Sequence, residues 1–191
     1  FRLADAAEAF DLDRAVKSGA RFNPDKSIWF NEQHLRNLPL DAVAAQLHAT
    51  QPTGLNWDLQ ACHDVADMML ERVSFLSEVW EARWLFERPK SLDAKLVRKR
   101  WKADTDELID GLMEQLDALE SFDSASIETA FKAYLEDRGV GFGSVLLPFR
   151  ILLTGEGGGP SMFAFAAFIG KEETRQRVTA GKSLVQSMQS E

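Results

Sequence analysis

Glycine–lysine pairs near the end of the chain are the residues best suited to binding phosphate. Gly181-Lys182-Ser183 has the order that ends a phosphate-binding loop, in which backbone N–H groups and the lysine hold a nucleotide. That loop requires an earlier glycine where this chain has Gln176. At Gly170-Lys171 the earlier glycine is replaced by Phe165, and Glu172 stands where Ser or Thr should bind magnesium. Neither pair therefore predicts a nucleotide site.

Metal-ligating and acid–base residues are equally sparse. The three histidines are dispersed, and only His63 stands beside the single cysteine, Cys62, whereas a zinc site needs about four ligands. Asp106 and Asp110 have helical spacing, but acid–base catalysis also needs a pocket that shifts a pKa, so such pairs are typical of a solvated helix face. The sequence predicts neither catalytic residues nor a metal site.

Composition restricts the class of protein. The chain has 191 residues and a net charge of −8, which argues against general affinity for nucleic acid because phosphate binding requires clustered Lys and Arg. The lone Cys62 cannot form an internal disulfide, as expected in the reducing cytoplasm. The longest apolar stretch, residues 162–169, is shorter than the roughly 20 residues of a membrane helix. We expect a cytoplasmic protein that binds neither DNA nor a membrane.

Charge is unevenly distributed along the sequence. Five cationic residues crowd together: Lys95, Arg98, Lys99, Arg100 and Lys102. An acidic block follows them directly, over residues 104–120. The basic cluster is either a patch that binds nucleic acid or the solvated face of a helix.

Helix signals run through nearly the whole chain. Asn23-Pro24 predicts an N-cap followed by proline at the first helical position. Apolar residues three to four apart predict a long buried helix or a helix pair over 58–86, which Pro89 ends. Ser126 is a candidate cap, and Gly139 is a candidate for the position after a helix end. Further helices are expected from Ser91, over about 143–154, over 160–169 and from 171 onward. We predict an all-α fold in which residues 155–159 form the most flexible loop.

Two segments carry longer signatures. The first contains Phe10-Asp11, Lys17-Ser18-Gly19-Ala20, Phe22, Lys26-Ser27, Trp29 and Asn31. The second contains Pro148-Phe149-Arg150, Leu153-Thr154-Gly155, Gly159-Pro160-Ser161-Met162-Phe163 and Ile169-Gly170-Lys171-Glu172. In this order, near the two ends of the chain, they resemble the C-terminal, tRNA-reading half of bacterial glutamyl-tRNA synthetases.

The resemblance implies a domain organisation and a parent enzyme. Residues 1–38 would finish the stem-contact helical fold, and residues 39–90 and 91–191 would form two helical, cage-like anticodon-binding subdomains. The parent would be a class I glutamate–tRNA ligase that binds ATP and magnesium in an upstream domain. Because the H-I-G-H and K-M-S-K motifs of that domain are absent and residue 1 is Phe, we expect a piece of a larger monomeric protein. This piece would bind tRNA(Glu) without a catalytic site or cofactor of its own.

Lys26 and Trp29 correspond to residues that, in the family, face the inner corner of the tRNA. The resemblance therefore implies that both contact the tRNA stem. Lys26 would pair with a phosphate, which positions RNA without reading its sequence. The alternatives are a simple exposed lysine and a core aromatic residue on an amphipathic helix.

Arg150 is the first anticodon-binding candidate that the resemblance implies. In the family, the arginine of P-L-R and the turn before G-P-x-L-F surround splayed anticodon bases. Such bases lie against apolar side chains while arginine donors meet their edges. The apolar wall would consist of Gly159, Pro160, Met162 and Phe163. Leu152 replaces an alanine of the family, which either shifts this pocket or reflects repacking of the core.

Arg72 is the second anticodon-binding candidate. Family members that accept only glutamate tRNA carry an arginine about here, directed at the last anticodon base. That base is C in glutamate anticodons and G in glutamine anticodons. Cytosine presents the acceptors O2 and N3 to a guanidinium, whereas guanine presents N–H donors on the same edge. The alternative is an exposed arginine on a long helix.

Two observations favour other interpretations. The basic cluster of residues 95–102 lies away from both signatures, which favours a solvated helix face. The acidic net charge also leaves open an all-α protein–protein adaptor with no role in binding RNA.

Overall fold

The computed structural model describes residues 3–11 and 21–189. The α-helices in this part of the chain are α1 (Leu3–Glu8), α2 (Pro24–Arg36), α3 (Leu40–Thr50), α4 (Leu59–Met69), α5 (Ala94–Arg100), α6 (Thr105–Asp117), α7 (Ser124–Arg138), α8 (Phe142–Thr154) and α9 (Met162–Gln189). Three 3₁₀ helices, Leu70–Arg72, Leu76–Glu81 and Arg83–Leu85, connect α4 to α5. The described residues contain no β-strand, so the predicted all-α fold is confirmed.

Local capping accounts for several helix ends. The side chain of Asn23 accepts N–H groups of the first turn of α2, as predicted. Gly139 ends α7 in the left-handed conformation, with φ 62°, which is also as predicted. The predicted cap at Ser126 is wrong. Asp123 caps α7 instead, because its carboxylate accepts the N–H of Ser126 at 2.9 Å.

Residues 58–86 do not form one long helix or a helix pair. α4 ends at Met69, and extended residues at Val73 and Phe75 separate the 3₁₀ helices that follow. Between them, the N–H of Ser74 donates to Glu78 at 2.8 Å, and its hydroxyl donates to Glu32 of α2 at 2.6 Å. The helical spacing of apolar residues continues through this segment. The hydrogen bonds of Ser74 stabilise a break in the helix after Met69 that this spacing does not reveal.

Aromatic residues fill the centre of the helices α6 to α9. Phe131, Phe149 and Phe165 are fully buried. The ring of Phe131 packs against Phe149 with 6.3 Å between centroids and against Phe163 with 5.4 Å. α3 and α4 pack on each other, and α4 contacts α9, so the core is continuous across this part of the chain.

The glycine–lysine pair of the second signature has a structural role. Gly170, with φ 82° and ψ 165°, bends α9 between the two helices predicted for this region. The ammonium of Lys171 donates to the carbonyl oxygens of Asp117 at 2.9 Å and Leu119 at 2.6 Å, at the end of α6. Carbonyl groups at a helix C-terminus lack helical partners, so a cation there stabilises α6.

Leu152 is accommodated by a glycine on the facing helix. The leucine is fully buried in α8. A Cβ atom on Gly181 of α9 would lie only 2.7 Å from Cδ2 of Leu152. This close approach supports repacking of the core over a shifted pocket, and it explains why residue 181 is glycine without any phosphate-binding loop.

Candidate nucleic-acid interface

Arg72 lies on the surface at the end of the first 3₁₀ helix, where the chain turns into the extended Val73. It lines a concavity of about 470 Å³. Trp84 contributes to the same concavity, as do Gly158 and Gly159 of the loop that follows α8. The fold therefore brings Arg72 to the glycine loop of the second signature.

Arg150 lies directly behind this glycine loop. The residue is half-buried on α8, and its Nη1 atom is 3.0 Å from the position that a Cβ atom would take on Gly159. Gly159 has φ +133°, which side chains disfavour, so both backbone conformation and space require glycine here. Nη1 is buried and has no hydrogen-bond partner among the described residues. Arg150 thus holds an unused donor beside the concavity.

The positive charge of Arg72 acts on the guanidinium of Arg150. Burial lowers the pKa of Arg150, and the positive charge of Arg72 lowers it further. A buried donor without an acceptor costs about 1–3 kcal/mol, and like charges repel. The arrangement is therefore unfavourable for the chain alone and suits a ligand that offers hydrogen-bond acceptors.

The rim of the concavity indicates which acceptors fit. Glu78, Glu81 and Glu156 also line it. Carboxylates oppose a phosphate group at this position, whereas the edge of a nucleic-acid base is neutral and rich in acceptors. The concavity can therefore take up an unstacked base more readily than the sugar–phosphate backbone.

A second buried arginine, Arg177 of α9, holds the two sides of the concavity together. Its side chain is 2% exposed, and its Nη1 atom donates to the carbonyl oxygens of Trp84 at 2.6 Å and Leu153 at 3.0 Å. Its Nε atom donates to Glu173 at 2.9 Å. Trp84 lines the concavity, and Leu153 lies on the helix of Arg150. Arg177 therefore connects the two segments that form the site.

Helix α2 supports the segment on both sides of Arg72. Asn31 is the last residue of the first signature. Its side-chain nitrogen, Nδ2, donates to the backbone carbonyl of Ser74. Arg36 donates to the carbonyl of Glu71 at 3.3 Å. From the sequence, the first signature was predicted only to contact the tRNA stem. The hydrogen bonds by which α2 positions the segment of Arg72 were not predicted. Asn31, a polar motif residue directly after Ile28-Trp29-Phe30, was the available signal.

The predicted apolar wall lies at two depths. Gly159 lines the concavity, and Pro160 is buried next to it. Met162 is 1% exposed and Phe163 is 8% exposed, and the Phe163 ring packs in the aromatic core. In this structure the two side chains support the loop from below. Direct contact between them and a base stays a prediction.

Lys26 and Trp29 lie on the exposed surface of α2. Trp29 is 52% exposed, and its ring meets Phe30 edge-to-face with 5.1 Å between centroids. The ammonium of Lys26 lies 5.8 Å from the centroid of the Phe30 ring. Trp29 is therefore outside the core of the described residues. The motif residues Lys17-Ser18-Gly19-Ala20 lie outside the part of the chain that the structure describes.

The other candidate chemistry has structural explanations. Asp106 and Asp110 both pair with Lys182, at 3.3 and 2.6 Å, on the surface between α6 and α9. Within residues 3–11 and 21–189, no group of three or more His, Cys, Asp or Glu side chains could hold a metal ion. Over the same ranges, no helix combines the length and apolar character needed to cross a membrane.

Comparison with known proteins links this geometry to a family. Residues 34–182 match the anticodon binding domain family. The glutamate–tRNA ligase of Flavobacterium johnsoniae is 39% identical over 181 residues, which are 93% of this chain and 36% of that protein. The glutamate–tRNA ligase of Phocaeicola vulgatus is 34% identical over 178 residues, with 92% and 35% covered.

Solved structures agree with the sequence relatives. A crystal structure of a glutamate tRNA ligase from Elizabethkingia meningosepticum superposes with a TM-score of 0.84 at 29% identity, over 92% of this chain and 35% of that one. The chain therefore spans about a third of the length of the relatives it matches. The predicted resemblance to glutamyl-tRNA synthetases is confirmed, and the chain belongs to the anticodon-binding domain family.

Proposed function

We propose that this chain recognises the anticodon arm of the tRNA that accepts glutamate. The observation that carries the proposal is that Arg72 and Gly159 line one concavity, while Arg150 lies directly behind Gly159 with a buried donor that has no partner among the described residues. Single-stranded anticodon bases can be splayed out and read by arginine donors while their faces rest on planar or apolar groups. The glycine loop lines this concavity, with the buried Trp84 beside Gly159.

Arg72 is the candidate reader of the last anticodon base. It is exposed at the mouth of the concavity and free to reach a base edge. Cytosine, the last base of glutamate anticodons, offers O2 and N3 as acceptors. Guanine, the last base of glutamine anticodons, carries the donors N1–H and N2–H where cytosine carries N3 and O2, and these donors cannot bond a guanidinium; O6 is the one acceptor on that edge. A site built in this way would favour glutamate tRNA over glutamine tRNA.

The exposed face of α2 is the candidate contact with the tRNA stem. The ammonium of Lys26 would meet a phosphate, and the half-exposed ring of Trp29 would rest on the sugar–phosphate surface. α2 is joined to the Arg72 segment through Asn31 and Arg36. Stem binding and anticodon binding would therefore act through one connected body within a monomeric protein.

The larger protein would be a glutamate–tRNA ligase that attaches glutamate to tRNA with ATP and magnesium. The relatives that match this chain carry that name, and the match covers 36% and 35% of their length. We infer that ATP and magnesium bind in the part of the protein outside this chain. The role of the residues described here is to select and position the tRNA.

A binding titration tests the proposal. The full-length protein that contains this chain is titrated at moderate salt with glutamate tRNA and, in parallel, with an unrelated tRNA. We expect tighter binding of glutamate tRNA, by about 10-fold or more, because a guanidinium-to-base contact contributes roughly 1–3 kcal/mol. Equal and weak binding of both RNAs would contradict the proposal. The alternative would then be the all-α protein–protein adaptor, which the family match does not favour.

Replacing Arg72 tests which base is read. In the full-length protein, Arg72→Gln should reduce the ratio of glutamate-tRNA to glutamine-tRNA charging, because a glutamine amide carries a donor and an acceptor and suits C or G. The rate on glutamate tRNA should fall less than the ratio does. Kinetics on transcripts that differ only at the last anticodon base measure both quantities. An unchanged ratio would show that Arg72 does not read this base.

A further inference from the structure

The basic residues on and after α5 form a surface that no acidic side chain of residues 3–11 and 21–189 neutralises by an ion pair. This cationic surface consists of Lys95, Arg98, Lys99, Arg100 and Lys102, all of which are exposed. No carboxylate of the described residues forms an ion pair with any of them. By contrast, Arg88, Arg138, Arg175 and Lys132 each have an acidic partner within 4.0 Å. In a chain with net charge −8, such an uncompensated surface suits a polyanion.

α5 contacts the glycine loop that follows α8. The N–H of Asp93, which caps α5, donates to the carbonyl of Gly155 at 3.0 Å. A Cβ atom on Gly157 would lie 2.5 Å from a methyl carbon of Leu96, so α5 packs tightly on the loop. α5 therefore packs against the second signature, and the prediction that it lies away from this signature is wrong. The basic cluster was interpreted as a solvated helix face because it was expected to lie away from both signatures. Because α5 packs closely against the glycine loop, that reason no longer holds.

Three of the cations converge at one place. Lys99, Arg100 and Lys102 line a concavity of about 400 Å³ together with Gly141 and Gly143. Neither glycine would bring a Cβ atom within 3.4 Å of another residue, so backbone can approach here without obstruction. Asp104 is the carboxylate on this lining, so positive charge predominates.

We propose that the cationic surface binds the phosphodiester backbone of the same RNA whose bases enter the Arg72 concavity. This inference rests on the proposed function and adds a contact to it. Phosphate contacts supply affinity and fix orientation, whereas base contacts supply specificity. The surface on α5 holds the RNA, and Arg72 and Arg150 read it. Charge supports this division of roles, because three carboxylates line the Arg72 concavity, whereas three cations and one carboxylate, Asp104, line the concavity after α5.

Two triple variants of the full-length protein test the inference. One replaces Lys99, Arg100 and Lys102 with alanine. The control replaces Lys132, Arg138 and Arg175 with alanine and thus removes the same charge from α7 and α9. Affinity for glutamate tRNA and for an unrelated tRNA is measured at several salt concentrations. All six side chains are exposed, so circular dichroism should show an unchanged helical fold for both variants.

We expect the α5 variant to lose about 10-fold in affinity for both tRNAs and to reduce the slope of log K against log salt by about 2–3. The control variant should lose less than about 3-fold. If both variants lost the same affinity for tRNA, the loss would come from the change in net charge alone, and the inference would be overturned. If polyglutamate displaced bound glutamate tRNA as strongly as unlabelled tRNA does, the surface would bind an acidic protein instead, and the inference would be overturned.

The inference and the proposed function can fail separately. If Arg150→Ala lowers tRNA affinity and the α5 variant does not, the cationic surface is not a phosphate contact, and the proposed function stands. If the unmodified protein does not bind tRNA, both fail.

Discussion

Replacing Arg177 with methionine should lower the free energy of unfolding by about 3 kcal/mol. The guanidinium is 2% exposed and satisfies the carbonyl oxygens of Trp84 and Leu153. Methionine fills a similar volume but leaves both carbonyl groups buried without a donor. Urea denaturation of the unmodified protein and the variant measures the difference.

The matched control is Arg175→Met, two residues earlier on α9. Arg175 is 48% exposed and pairs with Asp117 and Glu172 on the surface, so its replacement should change the free energy of unfolding by less than about 1 kcal/mol. The free energy of unfolding of Arg177→Lys should lie between those of Arg177→Met and Arg175→Met. Lysine keeps the positive charge but lacks the forked donors of the guanidinium. Equal, small effects at both positions would show that Arg177 does not hold the two sides of the site together.

Replacing Arg150 with alanine should reduce the catalytic efficiency for glutamate tRNA by about 10-fold or more in the full-length protein. Binding of glutamate and ATP should remain nearly unchanged, because both are expected to bind outside this chain. The free energy of unfolding should change by less than about 1 kcal/mol, since the removal of an unpaired buried charge offsets the lost packing of the aliphatic stem. Aminoacylation kinetics and urea denaturation measure the two effects.

Arg150 and Arg177 thus have opposite expected signatures. Arg177 is buried with its donors satisfied, and its loss should be seen mainly in stability. Arg150 has a buried donor with no partner in the described part of the chain, and its loss should be seen mainly in tRNA recognition. Arg138→Ala, at an exposed ion pair on α7, is the control for unspecific loss of positive charge. If Arg150→Ala destabilised the chain and left the kinetics unchanged, Arg150 would be a structural residue.

Local chemistry in the sequence was sufficient for the fold class and for part of the site. Asn23 and Gly139 mark helix ends because capping depends on neighbouring backbone groups alone. Arg150 and Gly159 stand out because the second signature is long and nearly continuous. The break after Met69 was not predictable from apolar spacing, because hydrogen bonds from Ser74 to distant residues stabilise it.

The sequence by itself determined that the chain is helical and that it resembles a tRNA-reading domain, since periodicity, caps and motifs are properties of neighbouring residues. Only the tertiary structure decided that Arg72 and Gly159 line one concavity with Arg150 behind Gly159, that Arg177 connects the two sides of this concavity, and that α5 packs on the glycine loop. These arrangements depend on contacts between segments far apart in the chain. Side chains such as Leu96 and Leu152 find their partners at Gly157 and Gly181 only when the helices pack, and no local pattern records that choice.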